Sequence, residues 1–162
     1  MVIFGAKEYG VTLIEVMITV AILAILGLTG TSLTGLWSKQ VELDKATISL
    51  KSAMSLSRST AIRNQFAKNI GDTVSQICLD NNNKKIVVHK ATATGAASCS
   101  SPIVFSYPLS STIEIKNVNA TNFKCFAFNS FGQVMNINAG NCKNNLSLTV
   151  SNGSLNETFT LN

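Results

Sequence analysis

Four cysteines, a single histidine and one glutamate set inside an apolar run are the residues of this chain best equipped for chemistry. Cys78, Cys99, Cys125 and Cys142 could cross-link or hold a metal. Zinc motifs usually bring cysteines in close pairs such as C-x2-C, and no two here stand that close. His89, the only imidazole, falls in a strand-like stretch with polar flanks. An even cysteine count in an exported domain reads as a disulfide framework, for which three pairings are open. Cys78 with Cys99 and Cys125 with Cys142 is the favoured pairing, because each pair brackets one loop-rich segment. Loops of that length would each stabilise the fold by about 3 kcal/mol in the chain-entropy model. Catalysis lacks parts: the acids are scattered, and neither a Gly-rich phosphate loop nor a nucleophile motif occurs. Asp80-Asn81-Asn82-Asn83 is rich in oxygen but offers one carboxylate without the ligand spacing of a calcium loop. The expectation is a protein that is not an enzyme and needs neither cofactor nor metal.

The glutamate is Glu15, in Gly10-Val11-Thr12-Leu13-Ile14-Glu15, five residues into an apolar run from Val11 to Leu28. An ionised carboxylate at the centre of a membrane helix costs roughly 2.5–3.5 kcal/mol, so such residues are usually functional. Near the end of the run the cost is smaller, yet the position still calls for a partner. The ten preceding residues are short and mixed, carry Lys7 and Glu8, and end in glycine. This reads as a peptide to be cut after Gly10, leaving Val11 as a new N-terminus whose amine lies close to Glu15. An ordinary secretory signal would place a basic region before the run and a small-residue site after it. Gly27 to Ser32 is loosely compatible with such a site, but Glu15 and the neutral Lys7/Glu8 pair argue against it. A plain anchor fits the ~20 residues needed to span a bilayer but explains neither Gly10 nor Glu15.

These residues resemble the N-terminus of type IV pilins and pseudopilins, where a prepilin peptidase cuts after the glycine and methylates the new amine. The resemblance implies that Gly10 is the last leader residue and Val11, in place of the usual Phe, the methylated one. It implies that Glu15 neutralises the N-terminal amine of an adjacent subunit and so sets axial register. Leu56-Ser57-Arg58-Ser59-Thr60-Ala61-Ile62-Arg63-Asn64-Gln65 looks like the end of the first helix in the GspH/FimT group. Phe126-Ala127-Phe128-Asn129-Ser130-Phe131-Gly132 is similar to that group's strand and turn. Together these likenesses imply a FimU/FimT-like minor pilin in the tip or priming complex of a type IV pilus. It would begin as a single-pass protein of a bacterial inner membrane with its head in the periplasm. Its partners would be prepilin peptidase and other minor and major pilins. A GspH-like pseudopilin of a type II secretion system is built alike.

DNA is the alternative partner. The formal charge is +5, and Lys84, Lys85 and Lys90 gather in one stretch, which suits attraction to phosphate. FimT-like members bind DNA through a Gly-Arg-x-Arg motif near the C-terminus, whereas the segment Gly153 to Asn162 has no arginine. A solvated face is the favoured reading of these lysines.

The elements that must position these residues are a long helix and a β-rich head, an α+β class. No proline interrupts the chain from Val11 to about Phe66. Leu36, Leu43, Ala46, Leu50, Ala53 and Ser57 recur at threes and fours, the stripe of a helix lying on a core. Gly27, Gly30 and Gly35 soften its middle. After Gly71, strands are expected at Val74–Leu79, Lys84–Lys90, Ile103–Tyr107, Thr112–Val118, Phe123–Phe128, Gln133–Ile137, Leu146–Val150 and Glu157–Leu161. Their alternation suggests antiparallel sheet with one solvated face. Surface loops at Ala91–Ser101 and Asn138–Asn145 are expected to carry partner specificity. The organisation expected is a leader at 1–10, a hydrophobic transmembrane and assembly helix at 11–36, an amphipathic half at 37–70, and a disulfide-stapled head at 71–162.

Overall fold

The computed structural model describes residues 10–161 apart from residues 118, 120, 137–141, 143 and 144, and only the backbone of residues 28–33. One helix, α1 (Leu13–Arg63), is followed by eight strands among the described residues. The chain divides into two compact units, Met1–Ser38 and Lys39–Asn162.

In the first unit the apolar side chains of Val11 to Leu26 are exposed. Among the described residues, no helix is long and apolar enough to cross a membrane. Leu36, expected on the buried stripe, is exposed, as is Trp37. The stripe begins instead at Leu43, because α1 joins the unit that holds the sheets only from Lys39 onward.

From there the 3.6-residue period decides burial. Leu43, Ala46, Leu50, Ala53, Met54, Ser57 and Ala61 are buried, while Lys45, Lys51 and Ser52 face outward. The helix ends at Arg63, within the 37–70 stretch expected for its amphipathic half. Asn64 takes a positive φ of 36° and its side chain bonds both backbone groups of Lys68, which turns the chain out of the helix.

Two antiparallel sheets meet this stripe. The first has five strands in the order β3 (Ile103–Pro108), β2 (Lys85–Lys90), β1 (Ser75–Asp80), β5 (Cys125–Phe128) and β6 (Val134–Met135). The second has the order β4 (Ile113–Asn117), β7 (Ser147–Asn152) and β8 (Leu155–Thr160). One core joins both sheets to α1: Leu43, Leu50 and Met54 with Ile77, Ile86 and Val88, Phe123, Phe126 and Phe128, and Ile113, Leu148 and Val150.

The second sheet shows the expected alternation. Leu148, Val150 and Asn152 are buried, while on the opposite face hydroxyls pair across the strands at Ser147–Thr160 and Thr149–Thr158. Gly153, with φ +64°, opens the two-residue turn between β7 and β8, where a primed hairpin turn needs a positive φ. The first sheet departs from the one-solvated-face expectation. Ser75, Gln76, Ile77 and Cys78 of β1 are all buried, as are Ile86 to His89 of β2. Ile77 packs in the main core, whereas Cys78, Cys125, Ala127 and Cys142 form a second small cluster on the other face. That face is covered rather than solvated.

Candidate functional site

Thr12 stands immediately before the first residue of α1, and its backbone and side chain close a ring with Glu15. The Thr12 N–H and the Thr12 hydroxyl both donate to Glu15 Oε2, each at 3.2 Å. The Glu15 N–H reaches back to Thr12 Oγ1 at 3.4 Å. This is a capping box, in which residues N-cap and N3 satisfy each other's orphan donors. Its carboxylate also sits at the positive end of the helix dipole. The Thr-x-x-Glu spacing is a legible signature of such a box, and the reading of Glu15 as a lone buried acid overlooked it. Ahead of the box, Gly10 and Val11 are non-helical and exposed, and among the described residues nothing lies within 4 Å of where a Gly10 side chain would project.

In the head, Cys78 is bonded to Cys99 and Cys125 to Cys142, the pairs favoured by the loop argument. Cys78 and Cys125 are direct register partners on β1 and β5, so both bridges rise from one spot on the covered face. Buried Gln76 lies between them: its amide donates to Cys99 Sγ at 3.3 Å and to Cys142 Sγ at 3.1 Å. No motif announces this contact. His89 donates from Nδ1 to the Ser101 carbonyl at 2.6 Å and pins the Cys99 loop. Within that loop, Ala97 N–H donates to the Thr73 carbonyl at 2.7 Å. The second expected specificity loop, Asn138–Asn145, lies largely outside the described residues.

The three lysines are not gathered to one point. Lys84 Nζ donates to the Ile113 carbonyl, Lys85 lies 4.0 Å from Asp80, and Lys90 donates to Gln65 Oε1. Lys85 and Lys90 stand at opposite ends of β2, about 17 Å apart at 3.4 Å per residue. Asp80 spends its oxygens on the turn, accepting from the Asn83 side chain and the Asn82 and Asn83 backbones. Those bonds, the Asn83 side chain foremost, hold its carboxyl below the usual aspartate range. The two stretches that carried the GspH/FimT resemblance do meet. Gly132, at φ +72°, lies against Ile62 so closely that an added Cβ would stand 3.2 Å from Ile62 Cγ1.

A family model described as the prokaryotic N-terminal methylation motif matches residues 5–31. That motif, over residues 5–31, indicates a prepilin-type N-terminal segment. No curated protein and no solved structure matches the chain. The match contains Gly10, Val11 and the Thr12–Glu15 box, so the methylation motif and the helix start coincide. In this chain an α+β architecture of N-terminal helix and β-rich head accompanies the motif.

Proposed function

We propose that the chain is a minor pilin-like subunit, cut after Gly10, methylated on Val11, and assembled through its N-terminal helix into the tip or priming complex of a type IV pilus. The observation that carries this reading is the methylation motif over residues 5–31, with an exposed Gly10–Val11 bond set just before a capped helix. Exposed apolar side chains along the first part of α1 support a role that begins in the inner membrane and continues in a helix-packed filament core. The contact of Gly132 with Ile62 supports membership of the GspH/FimT group, since it joins the two stretches in which that resemblance lies. In this reading Glu15 sets register, because an unpaired charge in a low-dielectric core is heavily penalised and a misplaced subunit is rejected. The head is then a structural and recognition surface, and its two disulfides keep it folded outside the cytoplasm.

Non-reducing mass spectrometry of the chain from membrane and sheared-filament fractions tests the proposal. The expected species begins at methylated Val11 and carries both disulfides in the filament fraction. A chain that keeps Met1 to Gly10, or one cut near Ser32, overturns it. Pili and secretion pseudopili are separated by which filament carries the processed chain.

A further inference from the structure

A groove of about 590 Å³ opens between the end of α1 and the outer strand β3, lined by Arg63, Phe66, Val74, Lys90, Ile103 and Val104 among others. This volume lies within the ~300–1,000 Å³ of ligand clefts. Three features define what it would accept. Its apolar walls are partly open to solvent, with Ile103 58% exposed and Phe66 37% exposed. Its charges are all of one sign: Arg63 and Lys90 line it and, among the described residues, no acidic side chain does. Its third feature is main chain, since among the described residues β3 ends the sheet order and pairs with β2 alone, which leaves outer N–H and C=O groups of β3 without a strand partner there.

The β3 edge is shaped toward this groove. Successive side chains of a regular strand point to opposite faces, yet Ile103 and Val104 both line the cavity. The register shift at Val88/His89 accounts for this, because a bulge re-aims a side chain. Leu109 N–H donates to the Lys84 carbonyl, so by the alternation of an antiparallel ladder Ser106 turns its backbone groups away from β2. Pro108 lacks an N–H and sets a limit to pairing at the far end of the edge.

We infer that this groove receives an extended acidic–apolar segment of a neighbouring pilin-like subunit, added along the free edge of β3. The inference rests on the subunit reading above. Main-chain pairing along Ile103–Ser106 gives the segment its extended form, the walls take alternate apolar side chains, and Arg63 and Lys90 select carboxylates between them. Arg63 also offsets the negative end of α1, so the groove presents net positive charge to the segment despite the helix terminus beside it.

The test uses the full chain in neutral detergent and three labelled peptides, acetyl-VEVEVE-amide, acetyl-VQVQVQ-amide and acetyl-VKVKVK-amide, followed by fluorescence anisotropy. The acidic peptide is expected to bind at least tenfold more tightly than the other two. Arg63→Gln with Lys90→Gln should weaken it at least tenfold and Ser106→Pro at least fivefold, while Lys124→Glu leaves it unchanged. Intact disulfides and unchanged circular dichroism show that the variants fold. Equal binding of the three peptides, no binding of the acidic one, or an unaffected Ser106→Pro variant overturns the proposal. So does binding of an oligothymidylate through the same two cations in the absence of peptide binding. The assay does not depend on leader cleavage, so its failure is distinguishable from failure of the pilin-like reading, which mass spectrometry judges.

Discussion

At the scale of single residues, Glu15 has two duties that one substitution can separate. Within the subunit it closes the capping box with Thr12, and in the proposed filament its charge meets an amine. Glutamine also serves at the N3 position of a capping box but carries no charge. Glu15→Gln should therefore keep the start of α1 while incorporation into filaments falls severalfold, as judged by immunoblot of sheared fractions. Glu15→Ala should lose the carboxylate half of the box, leaving the Thr12 N-cap bond, and should lose incorporation as well. Equal incorporation of Glu15→Gln and the parent chain would sink the registry role. In the head, Glu42 accepts from Asn152 Nδ2 at 2.9 Å and Thr112 Oγ1 at 3.1 Å. These bonds, that of Asn152 first, hold its carboxyl below the usual glutamate range. A carboxyl depressed in the folded state adds stability above its unfolded value of about 4.3, and that stability is lost as pH falls through the lower folded value. The urea midpoint should drop on acidification below about pH 4.3, and Glu42→Gln should flatten that part of the profile. A profile that the substitution leaves unchanged would remove Glu42 from the acid response.

At the scale of elements, the decisive join is where the β5–β6 turn meets the last turns of α1. Gly132 holds φ +72° and has Ile62 and the Arg58 carbonyl close by. Gly132→Ala brings both a left-handed backbone cost of about 1–2 kcal/mol and a close contact, so a loss of at least that size is expected from chemical denaturation. The helix stripe was legible because a single period of 3.6 sorts Leu43, Leu50 and Ser57 from Lys45 and Lys51. The strands were legible to within a residue or two at most ends, since alternation such as Leu146/Leu148/Val150 marks them and the Asn-rich run Asp80–Asn83 separates the first two. What local pattern could not show is that β1 and β2 are buried on both faces. Ser75 and Gln76 read as polar positions, yet Ser57 and Ser75 share a bond at 2.6 Å in the core, and Ser75 donates onward to the His89 carbonyl. Those pairings join residues far apart in sequence, so no period announces them. The exposure of Leu36 was equally hidden, because a stripe says which face is apolar but not where the partner begins.

At the scale of the whole molecule, the head is held by one core and two bridges. Reducing both disulfides should lower its stability by about 2–5 kcal/mol for each bridge, read as a shift in the denaturation midpoint with and without reductant. An unchanged midpoint would show that the core alone suffices. The candidate sites were unevenly legible. The N-terminal motif was clear because a glycine, an acid and an apolar run lie within a few consecutive residues. The groove beside β3 was invisible, because Arg63, Lys90 and Ile103 come from three elements and meet only in the fold. The nearness of the two bridges also bears on time. Cys78 and Cys125 face each other on adjacent strands, so a wrong bond between them is within easy reach of the finished sheet. A chain that emerges amino end first brings Cys99 to Cys78 before Cys125 arrives. The order of arrival then protects the pairing that proximity alone would leave to chance.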